Sequence, residues 1–308
     1  MSTLRQAVAD YLAVRRVLGY KLDKAEKLLA QFVTYLEDLG EQRVTIETAV
    51  AWASLPSGAH QSWLSSRLSV VRRFAVHLHG IDPSNEVPPA DLLPGRSRRA
   101  TPYFYSDEDI ATLIAAAGTL DPPHRVATYQ TLIGLLAITG IRVGEAINLD
   151  HTDFDATNGV LIVRKGKFGK SRELPLHPST VSALKNYLCR DDRPIRRPST
   201  SALFVSMTGS RLLYCNVQKT FSHLVCQIGI KPRSALCRPR LHDIRHSYAV
   251  RTILDGYRDV GDPGARLALL STYLGHVDPG KTYWYLSAAP ELLELAGERL
   301  EHRLGGGS

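Results

Sequence analysis

Five short stretches hold the residue types that phosphodiester chemistry needs: cations for the non-bridging oxygens, an in-line nucleophile and a proton donor for the departing oxygen. Arg142 lies in "TGIRVGE" at a predicted helix start, where it could fork onto a phosphate or pair with Glu145 one turn later. His242 and Arg245 share a helix face in "RLHDIRHSYAV", a spacing that equally suits an ordinary polar stripe. Arg164, Lys165, Lys167, Lys170 and Arg172 crowd one turn against the single acid Glu173. His276 follows a glycine in "YLGHVDPG", with Tyr273, Tyr283 and Tyr285 nearby in the chain. Taken one at a time, a satisfied histidine and packed tyrosines explain these residues as well as chemistry does.

Elements must hold them. Apolar residues recur at helical spacing in "LRQAVADYLAVRRVLGY", "AEKLLAQFVTYLEDLG", "TIETAVAWASL" and "WLSSRLSVVRRFAVHLHG", which predicts four helices within residues 1–81. The proline-rich "DPSNEVPPADLLPGRSRRATPYF", with Arg96, Arg98 and Arg99, resists helix and strand, so residues 82–105 read as an extended basic linker. Its arginines suit DNA phosphates or a solvated hinge equally. Ser106 then caps "SDEDIATLIAAA", whose first turn carries three acids. The helix "TYQTLIGLLAITG" stops at Gly140, and "GVLIVRK" and "SRELPLH", joined by "GKFGK", predict a basic β-hairpin. Helices follow at "PSTVSALKNYL", "NVQKTFSHLVCQIG", "RLHDIRHSYAVRTILDG", "PGARLALLSTYLG" and "PELLELAGERLEHRL". The fold class is mainly α with a small antiparallel β-sheet. Residues 304–308, ending in "GGGS", look like an appended linker.

Composition narrows the function. The 308-residue chain carries a formal charge of +8, which favours a polyanionic partner, and both halves share the excess. No run approaches the roughly 18 unbroken apolar residues of a membrane span, and the N-terminus lacks the apolar core of a secretory signal. Cys189, Cys215, Cys226 and Cys237 are too far apart for a C-x-x-C site, so reduced thiols and a cytoplasmic location are expected.

In order, "TGIRVGE", "KGKFGKSRELPL", "LHDIRH", "LGH" and "TYWYL" resemble the signature of the tyrosine recombinase (phage integrase) family, which includes the bacterial chromosome-dimer resolvases and Cre. The resemblance spans Ser106 to Arg303, and the preceding helices resemble the family's core-binding domain. It implies a helical DNA-binding domain over residues 1–81 and an α+β catalytic domain over 106–303. Carried over residue by residue, it implies catalytic roles for Arg142, His242, Arg245 and His276, with Glu145 supporting Arg142. Aligned backwards from Pro175 and Leu176, the leaving-group lysine falls on Lys167, with Lys165 and Lys170 as runners-up because this turn is one residue longer than the commonest pattern. The nucleophile falls nine residues beyond His276, on Tyr285, with Tyr283 its rival and Tyr273 packing. Trp284 is a pocket wall or core packing. Arg96, Arg98, Arg99, Arg164, Lys165, Lys170 and Arg172 are expected on DNA.

The implied reaction needs no metal, cofactor or ATP. It leaves a 3′-phosphotyrosine and a free 5′-hydroxyl, and proceeds in a tetramer on two double-stranded sites through a Holliday junction, alone or with sister recombinases. The helix at "PELLELAGERLEHRL" would dock in cis or in trans. The expected place of action is the bacterial nucleoid. "RRVLGY" and "TPYFYSDEDI" resemble integrases of transposons and other mobile elements, and a simple-site enzyme without a separate arm-binding domain is expected. The alternatives are an inactive DNA-binding accessory integrase and a type IB topoisomerase-like enzyme; all six expected catalytic positions hold competent residue types, which argues against the first.

Overall fold

The computed structural model describes residues 3–95, 100–164, 171–194, 200–258 and 263–275. The chain divides into two units, Met1–Arg99 and Ala100–Ser308. The first holds α1 (Leu4–Val17), α2 (Asp23–Asp38), α3 (Ile46–Ser54) and α4 (Gln61–His79). Three of them start on a side-chain cap: Thr3 accepts from the Gln6 N–H, Thr45 and Thr48 cap α3 reciprocally, and His60 accepts from the Ser62 N–H, while α2 follows Leu22 with none. Leu29, Phe32, Val33 and Leu36 of α2 form one buried stripe against Leu68, Val71, Phe74 and Ala75 of α4. Phe32 meets Trp52 of α3 edge-on, with ring centroids 5.2 Å apart.

The expected linker over 82–105 is narrower than its composition suggests. Asn85 is buried and its Oδ1 accepts the Val44 N–H at 3.0 Å, while the Val44 carbonyl accepts from the Glu86 N–H at 2.8 Å. Val87 and Leu93 pack on the first core. At the other end, Tyr103 and Tyr105 are buried in the second core, and the Tyr105 N–H donates to Ser247. Prolines forbid regular elements here but do not forbid packing. Arg96, Arg98 and Arg99 lie outside the described residues.

In the second unit, α5 (Asp107–Ala117) carries the expected cap, with Ser106 and Asp109 bonding each other's backbone N–H at 3.0 Å. Next come α6 (Pro123–Thr139) and the short α7 (Val143–Asn148), a 3-10 turn, and three strands, β1 (Phe154–Asp155), β2 (Val160–Val163) and β3 (Arg172–Pro175). They form an antiparallel sheet in the order β1-β2-β3, with Val160 opposite Pro175 and Val163 opposite Arg172. The expected hairpin is therefore there, and β1 widens it. α8 (Pro178–Leu188), α9 (Tyr214–Gln227), α10 (Asp243–Arg258) and α11 (Pro263–Tyr273) follow. α6 lies at the centre, with Leu132, Ile133, Leu135 and Leu136 buried among Tyr187, Phe204 and Phe221. Among the described residues, no helix is long and apolar enough to cross a membrane.

A smaller core fixes the end of the described chain. Ala249, Val250 and Ile253 of α10 enclose Leu267, Leu270 and Leu274. At about 1.5–3 kcal/mol for each buried leucine, this seam is enough to hold the last turn of α11 in one place.

Candidate functional site

Gly140 ends α6 at φ +57, and a Cβ there would lie 2.4 Å from Cδ1 of Tyr248, so both conformation and space demand glycine. Ile141 and Val143 are buried on either side of Arg142, which anchors its backbone at the start of α7. Glu145 accepts the Arg142 N–H at 3.2 Å and an Nη1 hydrogen bond at 2.7 Å. The sequence left phosphate fork and salt bridge open for Arg142; the structure contains the salt bridge, and Nη2 turns elsewhere, to the Gly275 carbonyl at 3.1 Å.

Arg245 comes from the first turns of α10, which are pinned by Asp243. That carboxylate is fully buried and takes Arg240 Nη2 at 2.8 Å and Nε at 3.0 Å. Arg245 is itself buried, donating to the carbonyls of Gly140 and Leu274, both at 2.6 Å. His242, the residue before α10, keeps an exposed edge and meets His246 at 4.9 Å between ring centroids. The protein packed around its ring strips solvation from the charged form, and Arg245, Arg142 and Arg240 add positive charge, so its pKa is pushed down to about 4. The imidazole is neutral at pH 7 and able to accept a proton.

Arg172 departs from the expected basic tip of the hairpin. Its side chain is only 13% exposed and donates to Glu145 through Nη2 at 2.7 Å and to the Tyr273 carbonyl through Nε at 2.7 Å. Burial alone would raise the Glu145 pKa; the hydrogen bonds and charges of Arg172 and Arg142 outweigh it and hold the carboxyl below the usual range. Arg164 behaves more as expected: it is 59% exposed, although it pairs with the buried Asp153.

Three consecutive carbonyls, Tyr273, Leu274 and Gly275, are thus each taken by a different arginine, Arg172, Arg245 and Arg142. The first is the last carbonyl of α11 and the other two follow it directly, at the end where the helix dipole is negative. Tyr273 packs into both cores and stacks on Tyr248 at 5.9 Å, consistent with a packing role. Lys165, Lys167, Lys170, His276, Tyr283, Trp284, Tyr285 and the final expected helix lie outside the described residues. Among the described residues, no group of three or more His, Cys, Asp or Glu could hold a metal ion.

The structure places Arg142, Glu145, His242 and Arg245 in one region, and Arg172, expected on DNA from the sequence, joins them. The signal was alternation: Leu174 is fully buried on β3, so Arg172, two residues before it, shares the inward face.

Comparison with known proteins identifies the family. The model of the phage integrase family matches residues 104–291. "Putative integrase/recombinase y4rB" of Sinorhizobium fredii (strain NBRC 101917 / NGR234) is 44% identical, over 98% of this chain and 98% of its own. Tyrosine recombinase XerC of Staphylococcus aureus (strain MSSA476) is 24% identical over 95% of this chain and 94% of its own. Among solved structures, the Tn1549 transposon integrase in complex with transposon right end DNA has the same fold, with a TM-score of 0.65 at 18% identity, covering 97% of this chain and 99% of that one.

Proposed function

Because the chain belongs to the phage integrase family of tyrosine recombinases, we propose that it cleaves and rejoins double-stranded DNA at specific sites through a 3′-phosphotyrosine intermediate. The Tyr285 oxygen attacks phosphorus and the bond to the 5′-oxygen breaks. The phenol, with a pKa of about 10, gives its proton to His242, and Lys167 protonates the departing 5′-oxygen. Arg142 and Arg245 carry the extra charge of the transition state, and His276 bonds a non-bridging oxygen. One phosphodiester replaces another, so a 5′-hydroxyl from a partner strand can reverse the step without ATP.

The observation that carries this reading is the convergence of Arg142 and Arg245 on the end of α11, directly before His276 in the chain, with a neutral His242 near enough to feel the charge of both. A phosphate arriving among them would raise the His242 pKa, making it a better base as the anion binds. Residues 1–81 serve as the core-binding domain and 106–303 as the catalytic domain, with Arg96, Arg98, Arg99, Arg164, Lys165 and Lys170 on phosphates. The assembly is a tetramer acting through a Holliday junction. Its role is the integration, excision or transposition of a mobile element, a reading of which the printed name of the 44%-identical relative, an integrase/recombinase, supports the integration and recombination.

The test is denaturing-gel trapping of a covalent adduct on nicked suicide duplexes tiled across the DNA on either side of the coding sequence. Wild type and Tyr283→Phe should form the adduct and Tyr285→Phe should not. Loss in Tyr283→Phe alone would move the nucleophile to Tyr283. A wild type that binds a duplex and never becomes attached to it would refute the enzyme and favour a DNA-binding accessory.

A further inference from the structure

Arg172 has no role in the reaction just derived, yet its guanidinium joins three distant parts of the unit. It lies on β3, immediately after the basic turn; it holds Glu145 of α7 with Nη2 at 2.7 Å and Nη1 at 3.3 Å; and it holds the Tyr273 carbonyl at the end of α11 with Nε. A planar fork offers a carboxylate and a carbonyl donors in fixed, divergent directions, a geometry that the compact ammonium of a lysine does not reproduce. The packing around it is close. A Cβ at Gly275, where φ is +66, would lie 3.1 Å from Arg172 Nη1 and 3.6 Å from Arg142 Nη1, so two guanidiniums sit against the bare face of this glycine.

Charge gives the contact a consequence. Glu145 paired with Arg142 alone would make a neutral pair. Shared between Arg142 and Arg172, it leaves one net positive charge beside the place where a phosphate would sit. Geometry gives it another, because the carbonyl that Arg172 holds is three residues before His276 and belongs to the turn from which the Tyr285 segment departs.

We propose that Arg172 is a positioning residue for strand cleavage: by dividing Glu145 with Arg142 and holding the end of α11, it sets the charge left on Arg142 and the origin of the nucleophile segment. The proposal rests on the assignment of Arg142 and Tyr285 given above. Arg172 acts through Glu145 and the Tyr273 carbonyl and does not touch the substrate.

The experiment compares wild type, Arg172→Ala and Arg172→Lys in the full chain, with two readouts. On the tiled nicked duplexes, Arg172→Ala should slow single-turnover adduct formation by about a hundredfold, the scale of a misplaced reacting group, with duplex affinity unchanged, and Arg172→Lys, which keeps the charge and loses the fork, should recover at most about tenfold of that loss. In the free protein, the amides of Leu274 and Gly275, which donate to Leu270 and Thr272, should exchange hydrogen about tenfold faster in both variants. The proposal is overturned if alanine weakens duplex binding and cleavage in parallel and lysine restores both, since that describes a phosphate contact on the hairpin. Unchanged exchange at Leu274 and Gly275 overturns it as well. A wild type that forms no adduct refutes the catalytic reading instead, and the exchange experiment still decides whether Arg172 holds the end of α11.

Discussion

Replacing Glu145 by glutamine removes one charge and almost no volume, which makes it the cleanest probe of the guanidinium cluster. The carboxylate accepts four hydrogen bonds, from the Arg142 N–H and Nη1 and from Arg172 Nη1 and Nη2, and its side chain is 9% exposed. A glutamine has one acceptor oxygen, and its amide donors would face a guanidinium that also only donates. Two partly buried cations, 22% and 13% exposed, would lose their common anion, a change that costs about 3 kcal/mol, the low end of the range for a fully buried pair. With a urea slope of about 1–3 kcal/mol per molar, the unfolding midpoint followed by circular dichroism should fall by about 2 M at pH 7. The pH dependence is diagnostic. Because the folded state depresses the Glu145 pKa, the stability it contributes is complete above the unfolded value of about 4.3 and disappears as pH falls through the lower folded value. The gap between wild type and variant should therefore be constant from about pH 8 to pH 5 and close below about pH 4. A midpoint shift under about 0.5 M at pH 7, or a gap indifferent to acid, would refute the ion-pair account.

Two more outcomes follow from the same geometry. The His242 ring resonances should titrate near pH 4, and since its folded pKa lies below the unfolded value of about 6.5, wild type should lose more stability than His242→Gln as pH falls from 7 to 4, as read from urea midpoints. Gly140→Ala should lower the melting temperature by about 10 °C, because it combines a left-handed backbone conformation with a methyl pressed into the Tyr248 ring; an unchanged melt would mean the turn relaxes freely.

Local chemistry made much of this structure readable from sequence. The Ser106 cap, the stop at Gly140 and the short β-like run in "GVLIVRK" are signals complete within a few residues, and each led to the element found there. The parts that were not read depend on distant partners. β1 is two residues long and exists because Phe154 and Asp155 pair with β2. Residues 82–93 have the composition of a linker, but Asn85 finds the Val44 backbone 41 residues away. Arg172 belongs to a dense basic run, and its partner on α11 is 101 residues distant, so charge counting placed it on the surface whereas strand alternation pointed inward. The cluster of Arg142, Glu145, His242 and Arg245 was legible only as ordered motifs, because no single one departs from ordinary helix chemistry.

The three arginines grip α11 through oxygens of the main chain, and every amino acid supplies the same oxygen. Alanine scanning across Tyr273 to Gly275 would therefore report cavity and turn defects and stay blind to the grip itself. The interaction is legible from one side only, in the arginines, and two of those lie more than a hundred positions earlier in the chain. Replacing a single peptide bond by an ester, which weakens the carbonyl as an acceptor while leaving every side chain in place, is the perturbation to which such a contact would respond.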